Sequence, residues 1–334
     1  MPEPMAASLP VASLARTSLA VALLATAFVS GTAAGVPGDL QEASGVVRRG
    51  NELLIVGDDD PGSVYRFTIP SGLDAEPWTL LDLEPLRREH WPRAAVALDL
   101  EAVEILADGR IVVLSEQLAA IVHAGGVVAA YPGLLAKFGE RGVEGLAVRA
   151  LPGRRSRVAV LWEGGYPRFR SVPLELRSRF GRTPMAPVVW VHDLDPGQSR
   201  TFVSADETLR MISLDMPRPE GAEPQVQRFR SPDLVWHELR DGGTTEWGFI
   251  ALLSSQNSVD SPRYAYHWLQ RFGADGRRVG EPLDLDAVLP AALRNKNWEG
   301  LGWFKEGTCL VVVYEHDPHR EKPGALLITL PPGW

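Results

Sequence analysis

The chain has 334 residues, of which 45% are hydrophobic, and its formal net charge is −8. This length and apolar content suffice for a large core, so a single-domain α/β barrel, a β-propeller or a two-domain protein would all fit. The acidic balance argues against nucleic acid or an anionic membrane as a partner, and it suits a protein that meets cations or small molecules.

The N-terminal segment has the features of a secretory signal. Arg16 precedes an apolar run from Leu19 to Gly31, and the small residues TAAG follow it. A basic region, an apolar region of about a dozen residues and a small-residue cleavage site are typical of an exported protein. We therefore predict a signal peptide over residues 1–34, a single domain over residues 35–334 and a periplasmic or secreted location. The remaining sequence contains no stretch that is long and apolar enough to cross a bilayer.

After this segment the chain has the pattern of β-structure almost throughout. Short apolar runs rich in β-branched residues, such as NELLIVGD, GRIVVLSE, RVAVLWE, GFIALLSS and CLVVVYE, alternate with turn-forming sequences such as ADGR and LPGR. Many short strands separated by turns predict an all-β fold, either a sandwich, a barrel or a propeller. The only cysteine, Cys309, lies inside one of these runs, which predicts a buried core thiol without a disulfide.

A repeated unit distinguishes between these folds. Three segments, beginning at Asp99, Val143 and Asn297, place Glu before Gly or Ala, continue through a turn into an apolar strand and end in a second Glu. Degenerate copies begin near residues 44 and 234. A unit of roughly 45–60 residues has the size of a four-stranded propeller blade. The double-length interval between residues 143 and 234 favours a sixth blade, with five blades as the alternative.

The two ends of the domain are predicted to meet. The final strand, GALLITL, lies almost at the end of the chain. A propeller closes its ring most simply when N-terminal and C-terminal segments pair within one blade. We therefore expect a blade of mixed origin.

The repeated acids are predicted to gather at one mouth of the central channel. The innermost strand of each blade begins at that mouth, and the antiparallel second strand returns to it. The predicted ring consists of Asp58, Glu101, Glu116, Glu144, Glu163, Glu299 and Glu315. Carboxylates at close range repel one another unless a cation is bound, and their oxygens are typical ligands of Ca²⁺. The alternative is that these acids pair with arginines or lie solvated at the ends of the blades.

The segments DLEAV, VEGLAV and NWEGLGW, each followed by an apolar strand that ends in an acid, resemble the phytase-like β-propellers of the "esterase-like activity of phytase" family. The resemblance covers most of residues 40–331 and implies an exported bacterial protein that hydrolyses phosphoesters or esters. It also implies a set of ligands at the channel mouth, namely Glu101, Glu144, Asn297 and Glu299, with Glu116, Glu163, Glu315 and Asp317 as their partners. The chain departs from the family pattern at YEHD, where S-D-D-N is expected, and at Ala102, where Gly is expected.

The resemblance implies hydrolysis, and the acids at the mouth would supply the metal site for it. No G-x-S-x-G, H-E-x-x-H or P-loop motif supports a serine hydrolase, a zincin or an NTPase instead. We predict a Ca²⁺-dependent hydrolase of phosphoesters, esters or lactones that acts on a small-molecule substrate. Glu144 and His316 are the predicted proton-transfer groups, since His316 follows an acidic strand end. The alternative is a non-enzymatic periplasmic propeller, in which a metal holds the ring together and one face binds a ligand or partner.

Overall fold

Short β-strands make up most of the chain that the computed structural model describes, which comprises residues 40, 42–58, 60, 62–73, 78–91, 99–131, 143–164, 186–197, 210–217, 230–241, 244–256, 264–294, 296–314 and 324–334. In chain order the strands are β1 (Ala43–Arg49), β2 (Glu52–Gly57), β3 (Ser63–Thr68), β4 (Trp78–Asp82), β5 (Arg87–His90), β6 (Leu100–Ile105), β7 (Ile111–Ser115), β8 (Ala120–His123), β9 (Gly126–Ala130), β10 (Val143–Leu151), β11 (Arg155–Trp162), β12 (Val188–Leu194), β13 (Arg210–Ser213), β14 (Arg230–Asp241), β15 (Thr244–Gln256), β16 (Tyr264–Phe272), β17 (Arg278–Asp284), β18 (Trp298–Lys305), β19 (Cys309–Tyr314) and β20 (Gly324–Thr329). A short helix, α1 (Leu285–Val288), and two 3-10 turns, Pro152–Arg154 and Ala291–Leu293, complete the described elements. The predicted signal peptide lies outside the described residues.

The described strands pair into five four-stranded antiparallel sheets, in the orders β1-β2-β3-β5, β6-β7-β8-β9, β10-β11-β12-β13, β14-β15-β16-β17 and β18-β19-β20-β4. The first strand of each sheet packs against the first strand of the next, through β1, β6, β10, β14, β18 and back to β1. The sheets are therefore the blades of a closed β-propeller, with these five strands innermost, and the predicted all-β propeller is confirmed. No helix in the described ranges is long and apolar enough to span a membrane.

The structure has five blades, which is the alternative count, rather than the favoured six. The interval between residues 143 and 234 contains β12 and β13, which complete the third blade next to β11. The inner strand β10 then packs directly against β14, so the ring has no place for another blade between them. The long interval therefore reflects a longer third unit and not an additional one.

The last blade is of mixed origin, as predicted. Its outermost strand is β4, which pairs with β20 from Ile328 opposite Trp78 to Gly324 opposite Asp82. The chain then returns to the first blade, where β5 pairs with β3. Pairing of an early strand with the last one closes the ring through backbone hydrogen bonds.

Apolar side chains fill the space between the blades. The strand β19, CLVVVY, is buried at every position, which is the environment that a continuous apolar run predicts. Cys309 in this strand is a free, buried cysteine, as predicted.

Each inner strand carries a β-bulge close to its start. The pairing register shifts by one residue between Ala43 and Gly45 in β1, and equivalent shifts occur in β6, β10, β14 and β18. In four of these strands the residue left out of the pairing is Ser44, Glu101, Glu144 or Glu299. A bulge re-aims a side chain and adds local twist. The repeated Glu-Gly or Glu-Ala pair in the sequence therefore marks a bulge that recurs in several blades.

The residue after each bulge is small because adjacent inner strands touch there. A Cβ atom added to Gly300 would lie 2.7 Å from the carbonyl oxygen of Ser44 and 2.8 Å from the Cα of Gly45. A Cβ added to Gly45 would lie 2.5 Å from the Cα of Ala102. Backbone atoms cannot move away as a flexible side chain can, so the close approach of the strands requires Gly or Ala at these positions.

This close approach predicts that Gly300→Ala destabilises the protein by about 1–3 kcal/mol, the usual effect of overpacking. The matched control is Gly273→Ala, because its added Cβ would meet mainly the carboxylate end of Asp275, at 3.0 Å. Urea unfolding of both variants measures the difference. Equal losses of stability would show that the strand approach at Gly300 is not what requires glycine.

Candidate functional site

Six of the predicted acids lie at one mouth of the channel. Three of them, Glu101, Glu144 and Glu299, are the second residues of inner strands. The other three, Asp58, Glu116 and Glu163, directly follow the last residues of second strands. Because the first and second strands of a blade are antiparallel, both sets of positions meet at the same end. The remaining predicted residues, Glu315, His316 and Asp317, lie outside the described residues, so their roles stay predictions.

The pKa of Glu101 shows how closely the acids approach one another. Burial raises it well above the usual value, and the nearby charges of Glu116, Asp58, Glu299 and Asp99 raise it further. These residues come from three different blades. The carboxylates therefore share one electrostatic environment, in which each ionised group opposes the ionisation of the others.

Glu144 is in the same situation. Burial raises its pKa well above the usual value, the charges of Glu163, Glu101 and Glu116 raise it further, and Arg230 partly opposes them. Among the residues that the structure describes, no hydrogen bond or ion pair reaches the carboxylate of Glu101 or Glu144. A carboxylate that is partly shielded from water and lacks such partners is costly to ionise.

A guanidinium group that the sequence analysis did not identify lies among the acids. Arg230, the first residue of β14, donates from Nη1 to Glu163 Oε2 at 3.4 Å and from Nη2 to Asn297 Oδ1 at 2.7 Å. Its Nη2 also donates to Glu299 Oε1, and its Nε donates to Ser254 Oγ at 3.2 Å. Arg230 thus joins the third, fourth and fifth blades. For Glu163 and Glu299, pairing with arginine, the alternative left open by the sequence, is observed.

A second missed residue, Asp233, lies deeper at the same end of β14. It is only 2% exposed, and it accepts hydrogen bonds from the backbone N–H of Leu234 at 2.8 Å and of Leu301 at 2.7 Å. The backbone N–H of Leu146 also faces it. A Cβ at Gly145 would lie 2.8 Å from its Oδ1, so the glycine of the third blade makes room for this carboxyl group. Asp233 therefore links β10, β14 and β18.

A further acid lies along the channel from the mouth. Burial raises the pKa of Glu104 to about 8, against the opposing effect of the backbone N–H groups of Ile105 and Val148. The Ile105 N–H donates to Glu104 Oε2 at 3.2 Å. Burial, together with the charge of Glu104, raises the pKa of Asp233 well above its usual value. The acidic character of the channel therefore extends beyond the predicted ring.

The carboxylates at the mouth offer oxygen atoms as metal ligands, and these are the ligands that hard cations such as Ca²⁺ prefer. Within the described ranges, however, no group of three or more His, Cys, Asp or Glu side chains has the geometry of a metal site. The chemistry of the residues therefore fits Ca²⁺, while the side chains are not arranged around a single point.

Comparisons with known proteins identify no family. No family model matches the chain, and no curated protein does. Over 91% of its length the chain is similar to the calcium-binding protein regucalcin from Agrobacterium tumefaciens, with 11% identity, a TM-score of 0.37 and 96% of that chain covered. Over 94% of its length it is similar to a GH43_1 enzyme from Xanthomonas citri, with 12% identity, a TM-score of 0.40 and 93% of that chain covered.

An ancestral GH74 enzyme is also similar, over 91% of this chain, with 10% identity and a TM-score of 0.37. The chain spans only 39% of the length of that enzyme. At these identities and TM-scores the similarities do not indicate an activity for this chain. The phytase-like family assignment accordingly stays a prediction.

Proposed function

We propose that the acidic mouth of the propeller binds a divalent cation, with Ca²⁺ as the expected ion, and that the occupied mouth hydrolyses a small phosphoester, ester or lactone. The observation that supports this proposal most directly is the environment of Glu101 and Glu144. Both carboxylates are surrounded by other acids, and neither has a hydrogen bond or ion pair within the described part of the chain.

Such a mouth has two ways to reduce its repulsion, namely protonation or cation binding. The raised pKa values of Glu101 and Glu144 favour protonation, which removes the charge of each carboxyl group. A divalent cation would instead favour the ionised forms, because attraction to its two positive charges outweighs the repulsion between neighbouring carboxylates. Export, proposed from residues 1–34, would expose the protein to the millimolar to submillimolar range in which extracellular Ca²⁺ sites operate.

The proposed chemistry divides between the ion and the chain. Ca²⁺, when bound, supplies Lewis-acid polarisation of a substrate oxygen. Asp58, Glu101 and Glu116 would hold it, since the charges of Glu116 and Asp58 act on Glu101 more strongly than those of the other acids. Glu144 would exchange a proton, because burial and the neighbouring acids raise its pKa well above the usual value, so that it holds a proton more readily than an ordinary carboxyl group. His316 remains a second proposed group for this step.

A non-enzymatic propeller with a structural metal is the second proposal. The contacts of Arg230 and Asp233 favour it, because they tie the inner strands of three blades together at this mouth. The same acids would then serve the stability of the ring, and the mouth would bind a ligand without turning it over.

Ca²⁺ is expected to raise the melting temperature of chelator-treated protein, since binding to the native state alone contributes about 2.7 kcal/mol at a hundredfold excess over Kd. Glu101→Gln should reduce this response, whereas Glu246→Gln, at an exposed position of β15, should not. Differential scanning calorimetry with Ca²⁺ or EDTA measures both. Identical melting of the wild type in Ca²⁺ and in EDTA would contradict the cation site.

Turnover separates the two proposals. p-Nitrophenyl phosphate, p-nitrophenyl acetate and a δ-lactone serve as substrates, each with Ca²⁺ or EDTA. Hydrolysis that requires Ca²⁺ and falls in Glu144→Gln supports the enzyme. Stabilisation by Ca²⁺ without turnover of any substrate supports the structural metal.

A further inference from the structure

We infer that the Arg149 guanidinium binds the carboxylate or phosphate group of a small ligand, in the groove between the third and fourth blades, at the end opposite the acidic mouth. The site is separate from the one in the proposed function, because Glu144 lies near the start of β10 and Arg149 near its end. About 16 Å of extended strand separates the two residues.

The position of Arg149 follows from the alternation of side chains along β10. Ala147 and Arg149 lie on the same face of this strand. Ala147 belongs to the apolar cluster that fills the groove between the two blades, together with Leu161, Trp236 and Phe249. Arg149 is partly exposed, so a ligand can approach it from the solvent.

Two indole rings position the guanidinium. Its Cζ lies 4.3 Å from the centroid of the Trp247 ring and 5.2 Å from that of the Trp236 ring. The Trp236 ring is itself fixed, because its Nε1 donates to the Ala147 carbonyl oxygen at 3.2 Å. Phe249 also packs against it, with ring centroids 4.6 Å apart. Attraction to these rings holds the cation but uses none of its N–H groups as hydrogen-bond donors.

The N–H groups of Arg149 have no acceptor among the residues that the structure describes. Its Nε is shielded from water and has no hydrogen-bond partner, and no ion pair of the described chain includes this guanidinium. Arg48 differs, since it lies over Phe304 and donates from Nη1 to the carbonyl oxygen of that residue. Arg271 also lies over an aromatic ring, and its Nη1 donates to the Gly333 carbonyl oxygen at 3.2 Å. Arg149 is held by rings as these two are, but without their acceptor.

Other arginines engage the carboxylates near Arg149. Arg157, which is opposite Arg149 in the pairing of β10 with β11, donates to both carboxylate oxygens of Asp193, at 2.7 and 3.0 Å. Arg155 donates to Asp193 and to Asp195, each at 3.1 Å. Burial and the charge of Arg157 lower the pKa of Arg149, against the opposing charge of Asp193. A further negative charge beside Arg149 would therefore stabilise this end of the groove.

The chemistry of these side chains indicates the class of ligand. A guanidinium presents its N–H donors in a planar fork that matches two oxygens of a carboxylate or a phosphate. The half-buried ring of Trp247 lies beside this fork and offers an apolar surface. An oxyanion joined to a flat apolar group would contact both. Benzoate is therefore the first probe, and inorganic phosphate is the second.

Isothermal titration calorimetry of the full chain in EDTA tests the site, since EDTA keeps the result independent of Ca²⁺ binding at the acidic mouth. The wild type should bind benzoate, whereas benzyl alcohol, which has the ring but no charge, should not bind. Binding of phosphate and not of benzoate would assign a phosphate group to the ligand. Absence of binding by both anions at millimolar concentration would overturn the inference.

Arg149→Met should weaken binding of the anion by about tenfold or more, because the charged donors are lost. Arg271→Met is the matched control, since this arginine also lies over an indole ring but already donates to a carbonyl oxygen. It should leave the affinity unchanged. Equal affinity in the wild type and a folded Arg149→Met, or equal losses in the two variants, would overturn the inference.

Arg149→Lys decides the question should Arg149→Met not fold. Lysine keeps the positive charge and an aliphatic stem, but it lacks the planar fork that contacts two oxygens at once. The variant should therefore bind the anion about threefold or more weakly than the wild type. An affinity equal to that of the wild type would overturn the assignment of the ligand to the Arg149 guanidinium.

Discussion

Asp233→Ala is expected to lower the free energy of unfolding by about 2–5 kcal/mol, a large part of the stability margin of a typical domain. The substitution removes the acceptor of the Leu234 and Leu301 backbone N–H groups, and it leaves the Leu146 N–H facing a void. These donors come from the three inner strands β10, β14 and β18. Water has little access to them, since Asp233 is 2% exposed, so the donors would stay unsatisfied.

Urea unfolding of Asp233→Ala, followed by tryptophan fluorescence, measures this effect. Asp233→Asn should be less destabilising, because it keeps one acceptor oxygen of the two that Leu234 and Leu301 use. Asp215→Ala is the control, since this carboxylate is exposed and forms an ion pair with Arg278 across the surface. If Asp233→Ala cost no more than Asp215→Ala, Asp233 would not be the link between the inner strands.

Local sequence was enough to predict the blades and the place of the acids. Apolar runs such as CLVVVY became central strands. The Glu-Gly and Glu-Ala pairs at Glu101, Glu144 and Glu299 are all bulge positions at one mouth. These features succeed because each depends on a short pattern that recurs in several units.

The residues that were missed are those at which one unit departs from the pattern. Arg230 and Asp233 stand where a Glu-Gly pair would be expected, and their partners lie in other blades, at residues as distant as Asn297 and Leu301. The segment RSPD contains both charged residues. The signal that could have identified them is that this unit departs from the repeated Glu-Gly pattern at the mouth. The alternative of five blades is the observed one, rather than the favoured six, for a related reason: the length of the third unit does not show that β10 packs directly against β14.

Glu104→Gln is expected to stabilise the protein increasingly as the pH rises from about 5 to about 8. The pKa of Glu104 is about 8 in the folded protein, compared with an ordinary value of 4.5. Between these values the unfolded chain releases the proton while the native protein keeps it, so a rising pH favours the unfolded state. The contribution of the protonated carboxyl group is therefore complete below about 4.5 and lost as the pH passes through about 8.

Gln has the shape of the protonated carboxyl group but does not ionise, and its carbonyl oxygen can accept from the Ile105 N–H as Glu104 does. At pH 7 the free energy of unfolding of the variant should exceed that of the wild type by about 1–3 kcal/mol, where the lower figure allows for screening by solvent. At pH 4 the two proteins should be equally stable. Urea unfolding at intervals across this range gives the difference directly, and a constant difference between pH 4 and pH 8 would contradict the raised pKa.

Asp108→Asn provides a control of opposite sign. Burial alone would raise the pKa of Asp108. Hydrogen bonds from Arg110 and from the Gly197 N–H nevertheless lower it to about 2, compared with an ordinary value of 3.8. Its ionised form therefore contributes stability above about 3.8, and this contribution is lost as the pH falls towards 2. Asp108→Asn should destabilise the protein at pH 7 and approach the wild type in acid, whereas Glu104→Gln should match the wild type in acid and exceed it at pH 7. The same direction of pH dependence in both variants would mean that the net charge of the protein, rather than the surroundings of each carboxyl group, determines the result.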